Sequence, residues 1–373
     1  MKIAVGMDLH KKSAVCHAVY AGYGEVSEKN KKFLEDFNKN YQTQGSEPED
    51  LIKIAEALFK HEAYILIENS TKTFETYWVL TNFGCNVVVA QPQDLFIITK
   101  SMKKTDKNDS IELANYMRRR LHGENEFAEC LMPPKEWMIK REICRTIFKE
   151  KLHLADLKRR TRSHLLLHGI KLSKEYTDIF SKKAIIELEN TKDPCLMIFA
   201  SEAKTIKKRT EQEAKLIEHL FQDEKIYQLI KSIPGFGSVS AAYLSSMIVD
   251  IKRFDNCNSF TAYFGVVPKV SQSSETSRRC ATTHRGDHDA RRLICQAAFV
   301  HTNTVYDSVV TKLYNRLRQR GVSHKEAQVA AGRKLLTVVW SVLKNNLPYT
   351  TDEGIIKRGL MIEEELEAEL GKE

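Results

Sequence analysis

The chain has 373 residues, more than a single hydrophobic core usually organises, so we expect two or three domains. Hydrophobic residues make up 42% of the sequence and charged residues 29%, which is typical of a folded protein and excludes long disorder. The 58 Lys and Arg outnumber the 49 Asp and Glu, giving a net charge of +9 and a pI of about 9.0. This excess favours a polyanionic partner, and nucleic acid is the leading candidate.

Location and redox state follow from the apolar runs and the cysteines. The apolar run from Leu335 to Leu343 is far shorter than the roughly 20 residues of a membrane span, so no membrane association is expected. Asp8 falls inside what would be the apolar part of a signal peptide, which favours a cytoplasmic protein. The eight cysteines lie far apart, with no CxxC pair and no histidine cluster at metal-ligand spacing. Reduced, mostly buried thiols are therefore expected.

Residues 1–128 alternate between strand and helix patterns. Two β-rich runs, Ile3 to Leu9 and Ser13 to Tyr20, flank a short polar turn and predict a hairpin. A helical pattern follows from Glu49 to Lys60. The next predicted elements are a strand ending at Glu68, a helix from Thr71 to Phe83 and a strand from Asn86 to Ala90. Antiparallel strands thus precede parallel ones, as in α/β domains of the RNase H-like (RuvC-like) kind.

The remainder of the chain is predicted to be mainly helical. Within a basic middle region at 129–225, apolar residues recur every three or four positions from Lys135 to Leu172, which predicts a coiled hairpin or a dimerising helix pair. A second charged helix is expected from Ala203 to Asp223. Residues 226–350 are expected to form a mainly α domain, and residues 351–373 an acidic, solvated tail.

A glycine turn, Pro234-Gly235-Phe236-Gly237, joins two helical patterns at the start of the third region. It resembles a helix-hairpin-helix element, in which backbone amides at Gly235 and Gly237 contact a DNA phosphate. The alternative is an ordinary helix end followed by a turn.

Four carboxylates carry the strongest chemical signal. Asp8 and Glu68 each end an apolar strand, and Asp106 and Asp109 share a face if their segment is helical. Converging carboxylates repel unless divalent cations neutralise them, and oxygen ligands suit Mg²⁺ or Mn²⁺. Two ions about 4 Å apart activate the attacking oxygen and stabilise the leaving oxygen in phosphoryl transfer. The alternatives are a turn at Asp8, a helix cap at Glu68 and a solvated helix face at Asp106 and Asp109.

A serine-rich loop is predicted from Ser271 to Ser277, directly ahead of several arginines. By its chemistry alone, this segment is either a phosphate-binding surface or a solvated loop.

Three segments together resemble the sequence blocks of the DEDD transposases: Val5 to Lys11, Ile67 to Ser70 and Lys104 to Asp109. These enzymes mobilise insertion sequences of the insertion-sequence-110 group and resemble the Piv DNA invertases. The resemblance extends over nearly the whole chain. It implies a RuvC-like catalytic domain at 1–128, the helical middle at 129–225 and a serine-bearing transposase domain at 226–350. The four carboxylates would then hold two Mg²⁺ ions.

The family also carries a nucleophilic serine, five residues after a proline and ahead of a basic-glycine signature. Pro268 and the segment His284-Arg285-Gly286-Asp287 match this pattern, and the register selects Ser273. The family commonly has glycine after this serine, whereas Ser274 follows here, so Ser274 is an alternative nucleophile and Ser271 a more distant one. The implied reaction cuts and rejoins DNA through a covalent serine–DNA intermediate, without ATP.

The resemblance implies macromolecular partners as well. They are DNA, as element ends and target, a structured noncoding guide RNA, and further copies of the chain in a dimer or tetramer assembled through the middle region. The predicted nucleic-acid-binding residues are Lys103, Lys104, Lys107, Arg159, Arg160, Arg162, Gly235, Gly237, Arg278, Arg279 and Arg285. Two alternatives remain: a RuvC-like junction-resolving endonuclease that needs only the carboxylates, and a non-catalytic nucleic-acid-binding protein.

Overall fold

A computed structural model describes residues 1–92, 95, 105–124, 127–266 and 286–350, together with the backbone of 268–273 and 276–282. The chain divides into two compact units, Met1–Pro133 and Pro134–Glu373. Among the helices described, none has the long uncharged stretch that a bilayer crossing requires.

The first unit contains a five-stranded mixed sheet with the strand order β3-β2-β1-β4-β5. Its elements are β1 (Lys2–Leu9), β2 (Ser13–Tyr20), α1 (Glu28–Asn40), β3 (Thr43–Gly45), α2 (Pro48–Leu58), β4 (Glu62–Glu68), α3 (Thr73–Asn82), β5 (Asn86–Ala90) and α4 (Asp106–Leu121). Strand β1 is antiparallel to β2 and parallel to β4, and β4 is parallel to β5. The α/β class and the order of antiparallel strands before parallel ones are therefore confirmed.

Both faces of this sheet are covered, because successive side chains of each strand point to opposite sides. Val5 and Ile65 belong to one core, which also contains side chains of α1, α2 and α3. Ala4 and Leu66 belong to a second core, which contains Leu113 and other residues of α4. Burial on both sides explains why β1 and β4 are nearly continuous apolar runs in the sequence.

Gly6 allows α4 to pack directly on β1. A Cβ atom at this position would overlap the carbonyl oxygen of Ser110 and the amide nitrogen of Ala114. These are backbone atoms, so no side-chain rotation relieves the overlap. The position of α4 on the sheet therefore depends on the missing side chain of Gly6.

The second unit is mainly helical, as predicted. Its elements are α5 (Lys135–Leu167), α6 (Lys182–Asn190), α7 (Pro194–Phe221), α8 (Lys225–Lys231), α9 (Ser238–Ile248), α10 (Cys257–Tyr263), β6 (Pro268–Ser273), β7 (Thr276–Thr282), α11 (His288–Thr304), α12 (Val309–Gln319) and α13 (His324–Asn345). The main core combines residues of α5 and α7 with those of α8 to α13. A smaller core joins α6 to α5 and α7. The predicted middle region and C-terminal region thus share one hydrophobic core.

Several elements differ from the expectation. Helix α1 and strand β3 were not predicted, and α7 begins at Pro194, ahead of the predicted Ala203. The serine-rich segment, predicted as a loop, forms the antiparallel pair β6 and β7, in which Ser273 is opposite Thr276. The two strands form because they pair with each other. Neither has the strong apolar alternation from which a strand is predicted in a sequence.

Candidate functional site

Two of the predicted carboxylates lie at the ends of adjacent parallel strands. The last pair in the register of β1 and β4 joins Met7 to Ile67, and Asp8 and Glu68 are the next residues along each strand. Asp8 shares a face with Gly6, two residues earlier, and this is the face that α4 covers. Both acidic residues are partly buried. The sheet thus places both carboxylates at the same edge and on the face that α4 covers.

The other two carboxylates lie in the first turn of α4. Thr105 is the N-cap and accepts a hydrogen bond from the Asn108 amide at 3.3 Å. Asp106 and Asp109 follow within this turn, where the partial positive charge of the helix N-terminus stabilises carboxylates. Asp106 is one turn ahead of Ser110, the residue that contacts Gly6. This packing places Asp106 beside the end of β1.

His10 joins these two parts of the site. Its Nε2 atom is 3.3 Å from Oδ2 of Asp8 and 3.3 Å from Oδ2 of Asp106. Candidate ligand atoms of these three residues all lie within 4.8 Å of one another. Asp8 is 16% exposed and Asp106 64%, so the group is open to solvent on the helix side. His10 was missed in the sequence, although it follows Asp8 by two positions at the strand end.

The donor set fits a divalent cation. Two carboxylates from distant parts of the chain approach one imidazole nitrogen, and Glu68 ends the neighbouring strand. Within the described residues, Glu68 and Asp109 lie outside the compact group of three. Oxygen ligands suit Mg²⁺, and an additional imidazole nitrogen is compatible with Mn²⁺.

His17 and Lys107 border this group. His17 is opposite Gly6 in the β1–β2 register and therefore lies on the face of the sheet that α4 covers. Burial lowers the pKa of His17, and the charge of Lys107 lowers it further. Lys107, a predicted nucleic-acid contact, is exposed at the start of α4. Lys103 and Lys104 lie outside the described residues.

The glycine turn of the second unit connects α8 to α9. Gly235 has φ of +106°, and a Cβ there would overlap the carbonyl oxygen of Ala297 in α11. Gly237 has φ of −84° with open space around its Cβ position, and it is the N-cap of α9. The imidazole of His301 fixes the turn, with Nδ1 2.7 Å from the Pro234 carbonyl oxygen. Only Gly235 is therefore required by internal packing.

A pocket of about 630 Å³ opens beside this turn. Residues of α5, α9 and α11 line it, including Lys151 and Arg292. The first N–H groups of α9, from Ser238 onward, have no partner within the helix, and Gly237 has no side chain to accept them. Burial lowers the pKa of Lys151, and the Glu213 carboxylate opposes this effect. Cations and free amides together favour an anionic ligand.

The three predicted arginines of α5 are exposed, and each makes an internal contact. Arg159 pairs with Asp156 at 2.8 Å, and Arg160 stacks over the ring of Phe199. Arg162 donates a hydrogen bond to the Thr177 carbonyl oxygen at 2.9 Å. Binding a phosphate would require these guanidinium groups to share or exchange partners.

The predicted serine block lies on β6 and β7. Ser271 and Ser273 belong to β6, with Ser273 its last residue, and Arg278 and Arg279 belong to β7. Ser274 and Arg285 lie outside the described residues.

Asp287 follows the hairpin and binds three partners. Its Oδ1 atom accepts hydrogen bonds from the Ala290 amide at 2.8 Å and the Tyr243 hydroxyl at 3.1 Å. Its Oδ2 atom is 3.3 Å from Nη2 of Arg145. Burial raises the pKa of Tyr243, and the Asp287 carboxylate raises it further. Asp287 therefore begins α11 and ties it to α5 and α9.

Sequence comparison finds a known protein family that matches part of the second unit. The sequence model of the Transposase IS116/IS110/IS902 family matches residues 227–315, from α8 through the glycine turn and Asp287 into α12. This part of the chain is therefore similar to the IS110-group transposases. The resemblance predicted from the sequence is thereby confirmed.

Similar proteins include a gene-inverting protein whose likeness extends beyond the second unit. The pilin gene-inverting protein of Moraxella lacunata is 24% identical over 294 residues, covering 77% of this chain and 81% of that protein. The transposase for insertion sequence element IS1328 of Yersinia enterocolitica is 34% identical over 91 residues, 24% of this chain and 27% of that protein. The transposase for IS1111A of Coxiella burnetii is 25% identical over 142 residues, 37% of this chain and 38% of that protein.

The similarity to transposases and to a gene-inverting protein indicates the class of reaction and the partner. It supports an enzyme of DNA transposition or recombination, with DNA as its partner. The positive net charge agrees with a polyanionic partner. The family match includes Gly235, Gly237 and the serine block, whereas the four carboxylates lie outside the matched residues.

Proposed function

We propose that the protein cuts and rejoins DNA with a metal-dependent carboxylate site and a serine nucleophile. The observation that carries the metal half is the convergence of Asp8 and Asp106 on His10, each at 3.3 Å. Like charges at this separation repel each other, and a divalent cation would neutralise them. Asp8, Glu68, Asp106 and Asp109 would hold two Mg²⁺ ions, with Mn²⁺ as a substitute.

An RNase H-like assignment of the first unit supports this proposal. The sheet order β3-β2-β1-β4-β5 has its antiparallel strands first and brings Asp8 and Glu68 to neighbouring parallel ends. Helix α4 adds Asp106 and Asp109 from the face above. Such a site belongs to nucleic-acid phosphoryl transfer. Bound divalent ions would supply charge neutralisation for the phosphate and acidify the attacking hydroxyl.

The protein residues have separate tasks in this scheme. Asp8 and Glu68 are held in place by the ends of adjacent strands of the sheet. Asp106 is held by α4 and lies 3.3 Å from Nε2 of His10. Ser273, with Ser274 as the alternative, would attack the phosphorus. The serine oxygen forms a new P–O bond as a deoxyribose oxygen leaves, and the serine proton passes to solvent or a nearby base. One phosphodiester replaces another, so rejoining needs no ATP.

Nucleic-acid contacts are proposed at the glycine turn and along α5. The pocket beside Gly235 and Gly237 offers Lys151, Arg292 and amides to a backbone phosphate. The exposed arginines of α5 would contact the backbone of DNA or of a structured guide RNA. Leu166 and Leu167, 82% and 79% exposed near the end of α5, support a homo-oligomer contact in the helical region.

The test is formation of a covalent protein–DNA adduct. The protein is incubated with Mg²⁺, the DNA of its element and the RNA transcribed from it, and the products are separated on a denaturing gel. An adduct is expected with the wild type and its Asp36→Asn control, which alters an exposed carboxylate on α1. It should be absent from Asp106→Asn.

Serine variants separate the two catalytic candidates. Loss of the adduct in the Ser271/Ser273/Ser274 triple alanine variant supports serine chemistry, and single variants then identify the nucleophile. Cleavage without an adduct that survives the triple substitution would favour a RuvC-like endonuclease that uses the carboxylates alone. Absence of both cleavage and cation binding would favour a non-catalytic binding protein.

A further inference from the structure

A second cluster of metal-ligating side chains lies where α5 ends and α7 begins. His164 is in the last turn of α5, Asp193 is the N-cap of α7, and Cys195 follows at the start of that helix. Nε2 of His164 is 3.1 Å from Oδ1 of Asp193. Candidate ligand atoms of all three residues lie within 4.8 Å of one another. Sequence spacing gave no signal for this group, because its members come from two different helices.

His168 lies nearby but outside this group of three. It is the C-cap of α5, one helical turn after His164, and the two rings are 4.3 Å apart between centroids. Histidines at positions i and i+4 lie on the same face of a helix, the arrangement that many zinc sites use. Cys195 is exposed, so its thiol is accessible to an ion from solvent.

Hydrogen bonds hold the Asp193 carboxylate at the start of α7. Its Oδ1 atom accepts from the Leu196 amide at 3.0 Å and contacts His164. This N-cap position fixes the carboxylate beside Nε2 of His164 and close to Cys195.

We propose that His164, Asp193 and Cys195 bind a transition-metal ion of the Zn²⁺ type, with solvent completing its coordination. Sulfur, nitrogen and oxygen donors together match the borderline-soft Zn²⁺ and Co²⁺ ions and disfavour Mg²⁺. This ligand set differs from that of the carboxylate site in the first unit, which contains no sulfur. The two sites therefore select different ions.

A metal here would tie the end of α5 to the start of α7. The connection between them contains α6, whose Leu188 packs with Phe180 and Leu196 in the small core. Closing this connection restricts the unfolded chain and stabilises the helical hairpin. The site is structural in this role, and it does not depend on the proposed serine or carboxylate chemistry.

Cobalt is the appropriate probe, because a thiolate bound to Co²⁺ gives a charge-transfer band that oxygen ligands do not. The reduced full-length protein is titrated with Co²⁺ under argon. One equivalent should produce the thiolate band and the visible absorption of tetrahedral Co²⁺, and Zn²⁺ should displace both. Co²⁺ at the carboxylate site adds no thiolate band.

Variants test the ligands. Cys195→Ala should abolish the thiolate band, whereas Cys130→Ala, at a half-buried thiol of the first unit, should retain it. His164→Ala should weaken Co²⁺ binding by at least tenfold, since losing even an outer-shell partner costs about 10- to 100-fold. His153→Ala, which removes a histidine of α5 paired with Glu202, is the matched control. A wild type without the band, or a band that persists in Cys195→Ala, overturns the proposal.

Discussion

The first unit brings carboxylates together at its proposed metal site, whereas the glycine-turn pocket of the second unit has cationic side chains and backbone amides. Asp8 and Asp106 reach their positions from a strand end and a helix start. The pocket depends instead on a turn in which Gly235 contacts backbone and Gly237 does not. The first site is therefore formed by side chains from separate segments, whereas the shape of the second depends on the backbone of its glycine turn.

The largest effect is expected where backbone packing controls the side-chain site. Gly6→Ala forces α4 away from β1, because the new Cβ overlaps backbone atoms of Ser110 and Ala114. A displacement of about 1 Å at a reacting group costs roughly 100-fold in rate. Adduct formation should fall by at least that factor, with weaker Mn²⁺ binding by calorimetry. If Gly6→Ala keeps wild-type adduct formation and Mn²⁺ binding, neither activity depends on the position of Asp106.

A pair of glycine variants compares the two positions of the turn. Gly235→Ala combines a positive φ with overlap of the Ala297 carbonyl and should lower the free energy of unfolding by about 2–4 kcal/mol. Gly237→Ala has open space and a negative φ, so its cost should stay below about 1 kcal/mol. Urea denaturation measures both. Equal losses would contradict the structural difference between the glycines.

The charge of the pocket is tested by salt-dependent DNA binding. Lys151→Ala and Arg292→Ala each remove one cation from the pocket and should weaken affinity about tenfold at low salt. Each should also reduce the slope of log K against log salt by about 1. Lys149→Ala, at an exposed lysine of α5 that is not among the lining residues, is the control. An unchanged slope in both pocket variants would exclude phosphate binding there.

The smallest expected effect is the pH dependence of stability that arises from His301. Burial lowers the pKa of His301, and its hydrogen bond to the Pro234 carbonyl only partly offsets this. The unfolded chain then binds more protons below about pH 6.5, so stability present above that pH is lost as pH falls. Relative to His301→Asn, the wild type should lose about 1.4 kcal/mol per pH unit below 6.5, until the lowered pKa is reached. Parallel pH profiles would contradict this.

Local patterns were sufficient to predict the strands that carry the site. The runs ending at Asp8 and Glu68 are apolar because both faces of the sheet are buried, and the β1–β2 hairpin follows from its polar turn. Helix α1 was missed because charged and polar side chains dominate it and only Phe37 among its residues is buried. Strand β3 has three residues and exists through its pairing with β2.

Contacts between distant segments could not be predicted. His10 occupies a predicted turn, and its role becomes visible only when α4 brings Asp106 to it. Gly6 resembles any strand glycine until Ser110 is placed against it. His164 and Cys195 belong to different helices, so a search for closely spaced ligands cannot connect them. In each case, tertiary packing supplies the partner.

The position of His10 also bears on how the protein matures. Many small metal sites leave their domain unfolded until the ion arrives. Here an imidazole already lies between Asp8 and Asp106, and Gly6 fixes the helix that carries Asp106. If the proposed cation binds here, it would replace the His10 contacts that already hold Asp8 and Asp106, and it would not be needed to bring the strand end and the helix together. A chelator should then remove activity while leaving the circular dichroism of the first unit intact.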